Sequence, residues 1–62
     1  MALEIDQEII KFVEENPGTS QNNVAMSLDY SYSYTYQRIK KLVKNHKLRE
    51  QRQGRICTLT IL

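Results

Sequence analysis

Gln37, Lys40, Lys41 and Lys44 follow one another at intervals of three, one and three residues. At about 100° per residue along a helix, that spacing gathers one amide and three ammonium groups on a single face. The hydroxyl of Ser33 and the phenol of Tyr34 fall on the same side. The opposite face collects Ile39, Leu42, Val43, Thr35, Tyr32 and Tyr36. Ammonium groups attract phosphates, and hydroxyls donate to phosphate oxygens. A primary amide both donates and accepts, so it can read the edge of a base. A helix packed on its back and dressed this way on its front is what a nucleic-acid reading helix requires. The chain holds no carboxylate pair, Cys/His couple, Ser/His/Asp set or glycine-rich phosphate loop, so its chemistry is that of a binder and not of an enzyme.

The element that must carry these groups is a helix over residues 31–46. One feature of the sequence opposes it. Tyr30, Tyr32, Tyr34 and Tyr36 alternate with Ser31, Ser33 and Thr35, and period two with aromatic residues is a strand signal. Three features favour the helix. Ile39, Leu42 and Val43 continue from Thr35 at helical spacing. Ser31 is a good N-cap, because its hydroxyl can accept from an orphan amide of the first turn. Lys44, His46 and Lys47 close the segment where the helix dipole favours cations.

Around it, residues 2–15 form a first helix, with Ile5, Ile9, Ile10, Phe12 and Val13 as its apolar stripe. Asp6 caps it inside an Ile5–Ile10 hydrophobic staple, or else the helix starts nearer Ala2. Asn16-Pro17-Gly18 ends it. Thr19 or Ser20 caps a short second helix that runs to about Leu28 and turns Val24 and Ala25 inward. Asp29-Tyr30 is then a tight turn, with Asp tolerating a left-handed backbone. After His46 the period changes. Leu48–Arg52 reads as one strand, Gln53-Gly54 as a turn, and Arg55–Ile61 as a second strand. Cys57, Leu59 and Ile61 share one face of it. The expectation is an α+β fold, three helices followed by a two-stranded β-hairpin, in one domain spanning 1–62.

A chain of 62 residues buries only about 60% of its unfolded surface, so its core is small and a second subunit is a natural source of further burial. The hydrophobic and charged fractions, 40% and 26%, are those of a globular protein and not of a disordered one. The net charge of +2 conceals a split. Residues 1–36 carry six acids and one base, net −5, and residues 37–62 carry eight bases and one acid, net +7. The basic end should attract a polyanion, and the acidic end should stay away from one. With one cysteine there is no intrachain disulfide, and with no long apolar run or basic leader the expected setting is cytoplasmic, with no membrane partner. Cys57 is read as a small buried hydrophobe, His46 as a helix-end residue, and Tyr30 and Tyr32 as packing residues with surface hydroxyls. The acids of the first helix are read as a solvated face. No metal, cofactor or small-molecule ligand is expected.

The pattern resembles a winged helix-turn-helix domain. Ser20–Leu28 matches the supporting helix, with Ala25 at the small crossing position. Ser31–Leu42 matches the recognition helix, with Thr35, Ile39 and Leu42 inward. Arg49–Thr60 matches a short wing after Leu48. The likeness is to small MarR-like repressor domains more than to any enzyme. Asp29 and His46 stand where relatives commonly carry Gly. In such families the recognition helix enters the major groove and the wing lies along backbone or minor groove. The resemblance therefore implies base contacts from Ser33, Tyr34 and Gln37, with Tyr36 at the border. It implies phosphate contacts from Arg38, Lys40, Lys41 and Lys44, and backbone or minor-groove contacts from Arg52 and Arg55. Ser20 and Gln21 would donate to phosphate at the start of the second helix. The function implied is a sequence-specific double-stranded DNA-binding regulator, a repressor acting as a homodimer through its first helix or the apolar segment 59–62. The alternatives are a protein-interaction winged helix that uses the basic face, or an RNA-binding module.

Overall fold

The computed structural model describes residues 3–62. Its elements, in order, are α1 (Glu4–Glu15), β1 (Thr19–Ser20), α2 (Gln21–Ser27), α3 (Tyr32–Lys44), β2 (Leu48–Gln53) and β3 (Ile56–Ile61). A start for α1 at Ala2 lies outside the described residues. Leu3 stands at its N-cap without a side-chain cap bond. Asp6 is inside the helix, so the Asp6 cap and its staple do not form. Ile5, Ile9 and Val13, four residues apart, are buried along one stripe. The N–H of Asn16 donates to the carbonyls of Phe12 and Val13, and its side-chain amide also donates to Phe12 at 3.0 Å. Asn16-Pro17-Gly18-Thr19 then closes a turn, with the Thr19 N–H on the Asn16 carbonyl at 3.0 Å. Gly18 sits at φ 82°, the positive φ that the third position of a type II turn demands.

That turn delivers a strand which the hairpin reading lacked. Thr19 pairs with Leu59 and Ser20 with Thr58, antiparallel, so the sheet has three strands in the order β1-β3-β2. Two residues are too few to show a period, which is why the segment reads only as a helix start. Ser20 is that start as well. Its Oγ accepts from the Asn23 N–H at 3.0 Å, and Asn23 in turn donates from its side chain to Thr19 Oγ1. Val24 and Ala25 are fully buried on α2, while Met26 is exposed. The α2–α3 connection needs no left-handed residue: among the described residues His46 is the only non-glycine with positive φ, so Asp29 keeps an ordinary backbone.

The tyrosine run is helical. Ser31 Oγ accepts from the Tyr34 N–H at 3.2 Å, and Thr35 Oγ1 donates to the Ser31 carbonyl at 2.9 Å. Thr35, Ile39 and Leu42 face inward. The helix stops at Lys44, with Asn45 as C-cap, two residues short of the expected end. There the Lys47 N–H reaches the Leu42 carbonyl at 2.8 Å, the His46 N–H reaches Val43 at 3.1 Å, and His46 stands at φ 59°. This is a Schellman closure with histidine in the left-handed position that usually takes glycine.

β2 and β3 pair from Leu48↔Ile61 to Gln53↔Ile56. The two-residue loop is therefore Gly54-Arg55, one residue later than the expected Gln53-Gly54. Gly54 at φ 60° and Arg55 without positive φ fit a type II′ turn, which needs glycine first. On β3 burial does not alternate cleanly: only Leu59 is buried, Cys57, Thr58 and Thr60 are partly buried, and Ile56 and Ile61 are exposed. Cys57, opposite Arg52 near the hairpin tip, is only partly buried.

α1 packs on α3 and β3, and α2 packs on α3. Ile5, Ile9, Val13, Val24, Ile39, Leu42, Leu48 and Leu59 form one core. Each such side chain contributes about 1.5–3 kcal/mol by leaving water, against the chain entropy that folding removes. This core fixes the rotation of α3 about its axis, and so decides which residues face out.

Candidate nucleic-acid interface

With Thr35, Ile39 and Leu42 turned inward, Ser33, Gln37, Lys40, Lys41 and Lys44 stand exposed along the opposite strip. Gln37, Lys40, Lys41 and Lys44 line a shallow open groove of about 370 Å³. Among the described residues none of these lysines has an ion-pair partner. The carboxylates nearest in sequence, Asp29 and Glu50, form no ion pair with them, and Glu50 lies 3.6 Å from Arg52 instead. The three ammonium groups are thus hydrated and free to meet phosphates.

Arg38 is different and corrects the phosphate role expected of it. Its guanidinium donates from Nε to Asp6 Oδ1 at 2.9 Å and from Nη2 to Asp6 Oδ2 at 2.7 Å, a two-pronged pair between α3 and α1. The Asp6 residue is buried, at 6% exposure. Hydrogen bonding to that carboxylate raises the Arg38 pKa further above its ordinary value, with desolvation opposing. Arg38 lies about 100° from Gln37 around the helix, on the flank that meets α1, so its charge is satisfied inside the molecule. Two of the acids read as a solvated face are therefore engaged, since Glu8 also accepts a hydrogen bond from the Tyr30 hydroxyl. That bond, with burial and the nearby Glu8 charge, pushes the Tyr30 phenol up to about 12.

The wing side forms a second locus. Ser20, Gln21, Asn22, Tyr36, Arg55, Ile56 and Cys57 line an open cleft of about 410 Å³ between the start of α2, the middle of α3 and the hairpin tip. It brings together four of the expected contact residues, Ser20, Gln21, Tyr36 and Arg55. The Tyr36 hydroxyl donates to Asn22 Oδ1 at 3.2 Å, tying α3 to α2. Arg55 has no acidic partner among the described residues. Arg52 lies 3.6 Å from Glu50, but its side chain is 71% exposed, so the pair leaves the guanidinium largely in water and is worth little.

The tyrosines divide in two. Tyr30 packs against the core as expected, but Tyr32 is 54% exposed and Tyr34 is 40% exposed. Each exposed ring meets a tethered one edge-on: Tyr34 meets Tyr30 with centroids 6.1 Å apart at 68°, and Tyr32 meets Tyr36 at 6.5 Å and 74°. The sequence does not signal the exposure of Tyr32, because its angular distance from Ile39 is small. In the first turn, before any core is reached, that angle buries nothing. Among the described residues no three His, Cys, Asp or Glu side chains cluster, and no helix is long and apolar enough to cross a membrane.

A recognition helix seated on a supporting helix, with a β-hairpin beside it, defines the winged helix-turn-helix class. The sequence agrees with the fold: the pattern of winged helix-turn-helix DNA-binding domains matches residues 3–49, and the chain belongs to that family. The crystal structure of AF1382 from Archaeoglobus fulgidus is similar in fold, with a TM-score of 0.83 over 100% of this chain and 72% of that chain, at 17% sequence identity. A search of curated proteins gives no match.

Proposed function

We propose that the protein is a sequence-specific double-stranded DNA-binding regulator, a repressor, with α3 in the major groove and the β2–β3 hairpin as its wing. The observation that carries this reading is the strip Gln37, Lys40, Lys41 and Lys44, exposed and without counter-charges among the described residues, on a helix whose other side is locked in the core. It runs beside a cleft whose rim carries Ser20, Gln21 and Arg55. Gln37 is suited to the paired donor and acceptor of adenine, and the lysines and Arg55 to phosphates. Ser33, Tyr34 and Tyr36 complete the base-facing set, and Arg52 follows the backbone beyond the tip.

A module this small gains affinity by acting in pairs on a two-fold site. The exposed apolar residues Ile61 and Leu62 at the end of β3, and Leu3 before α1, supply surface for that pairing. The test is selection of duplexes from a random pool, followed by titration of the selected site with salt. A palindrome and a log–log salt dependence with a slope of several units support the reading. A flat salt response, or a pool that never enriches, overturns it.

A further inference from the structure

Ahead of the strip that Gln37 and the lysines form, the first turn of α3 carries two exposed rings that the electrostatics do not use. Tyr32 and Tyr34 flank Ser33, one on each side of it around the helix, and both are exposed, at 54% and 40%. Neither hydroxyl has a partner among the described residues. Such rings on a hydrated surface are ordinarily loose. These two are not, because each leans on a second ring that is itself tied down: Tyr34 on Tyr30, whose hydroxyl is held by Glu8 of α1, and Tyr32 on Tyr36, whose hydroxyl is held by Asn22 of α2. Bracing from two different helices removes rotamer freedom before any partner arrives, so less remains to be lost on binding.

We propose that Tyr32 and Tyr34 form a braced pair of apolar jaws that recognise thymine 5-methyl groups in the major groove. The inference rests on the DNA-binding reading above and names what the start of the helix selects. The N-terminal residues of a recognition helix are those that reach base edges. Of the groups a duplex displays in the major groove, only the thymine methyl is apolar. Two exposed ring surfaces with a small serine between them match that feature, and Gln37, one turn further along, matches the adenine that accompanies a thymine on the facing strand. Glu8, Tyr30, Asn22 and Tyr36 are then positioning residues: they touch the jaws or their supports, and for the jaws they act only through Tyr34 and Tyr32.

The experiment uses the whole chain and the duplex enriched from the random pool. Each thymine of that duplex is replaced in turn by deoxyuridine, which removes the methyl and leaves every hydrogen-bonding group in place. Affinity is expected to fall about fourfold for each contacted methyl. In Tyr32→Ala and Tyr34→Ala the difference between thymine and deoxyuridine should vanish at the corresponding positions, while Tyr32→Phe and Tyr34→Phe should keep it. Tyr30→Phe, which cuts the tether to Glu8, should shrink the discrimination at the position read by Tyr34 without changing the salt dependence. If no duplex enriches, the DNA-binding reading fails and this one with it. If a duplex enriches but lacks thymine, or binds equally well with deoxyuridine throughout, or if the alanine variants discriminate as the parent does, the jaws are overturned while the DNA-binding reading stands.

Discussion

Arg38 and Lys41 lie one turn apart on α3 and carry the same charge, yet they belong to different regions of the molecule. Arg38 sits on the flank where α3 meets α1, and there the protein supplies its own counter-ion, the buried carboxylate of Asp6. Lys41 sits on the open strip with Lys40 and Lys44, where no acid of the described chain pairs with it. The closed flank also holds the Tyr30–Glu8 bond, and on the open side Arg55 lines the cleft with no acidic partner among the described residues. A basic residue on a recognition helix is therefore not automatically part of an interface. What decides is which face of the helix meets an acidic neighbour. A guanidinium already neutralised by a buried carboxylate has little attraction left for phosphate, and drawing it away would strand a buried charge.

The sharpest way to break this contrast is to remove cations from the two sides in turn. Replacing Lys40, Lys41 and Lys44 together by Ala should lower the slope of log affinity against log salt by about 2.7, at about 0.9 for each phosphate no longer neutralised, and should leave the urea midpoint nearly unchanged. Arg38→Ala should do the reverse, keeping the salt slope and lowering the midpoint, because Asp6 is left buried and unpaired. Equal salt slopes for the two variants would erase the distinction.

A smaller effect sharpens the comparison at the end of α3. His46 is exposed and stands with the open side, yet its role is conformational, since it holds φ 59° where glycine would be unstrained. His46→Gly should raise unfolding free energy by roughly 0.5–1 kcal/mol with no change in the salt slope. Denaturant titration and duplex binding check the two halves of that statement.

The smallest expected effect concerns pH and belongs to the closed flank. The bond to Glu8 holds the Tyr30 phenol at about 12 against an ordinary 10.0, so the folded state keeps this proton more tightly than the unfolded one. The stability it contributes is fully present below pH 10 and is lost as pH rises from 10 toward 12. Comparing Tyr30→Phe with the parent over that range should show the parent losing its advantage, and a constant difference would contradict the assignment.

Much of the fold was legible in the chain. The apolar spacing of α1 and α3, the Ser20 and Ser31 caps, the Asn16-Pro17-Gly18 stop and the change of period after His46 are all local signals, and local physics produces them in the fold. β1 was not legible, because a two-residue strand exists only through its pairing with β3. The loop at Gly54-Arg55 shifted by one, because glycine is compatible with either position of a two-residue turn and only the register across β2 and β3 chooses. In the candidate interface, the exposed lysine strip and Gln37 followed from helical geometry alone. Arg38 and Tyr32 did not. Arg38 sits at the border of the buried face, where a rotation angle leaves inside and outside undecided, and Tyr32 lies within that face by angle but in a first turn that the core does not reach.

By itself the sequence settled, to within a residue or two, where the three helices and the hairpin form, that the charge divides into an acidic first half and a basic second half, and that one helix carries amide and ammonium groups on a common face. Those are consequences of composition and of neighbours a few residues apart. Only the tertiary structure decided which cations stay free, which tyrosines are braced and which acid is buried. Each of those outcomes depends on what another element, 14 to 32 residues away in the chain, brings into contact.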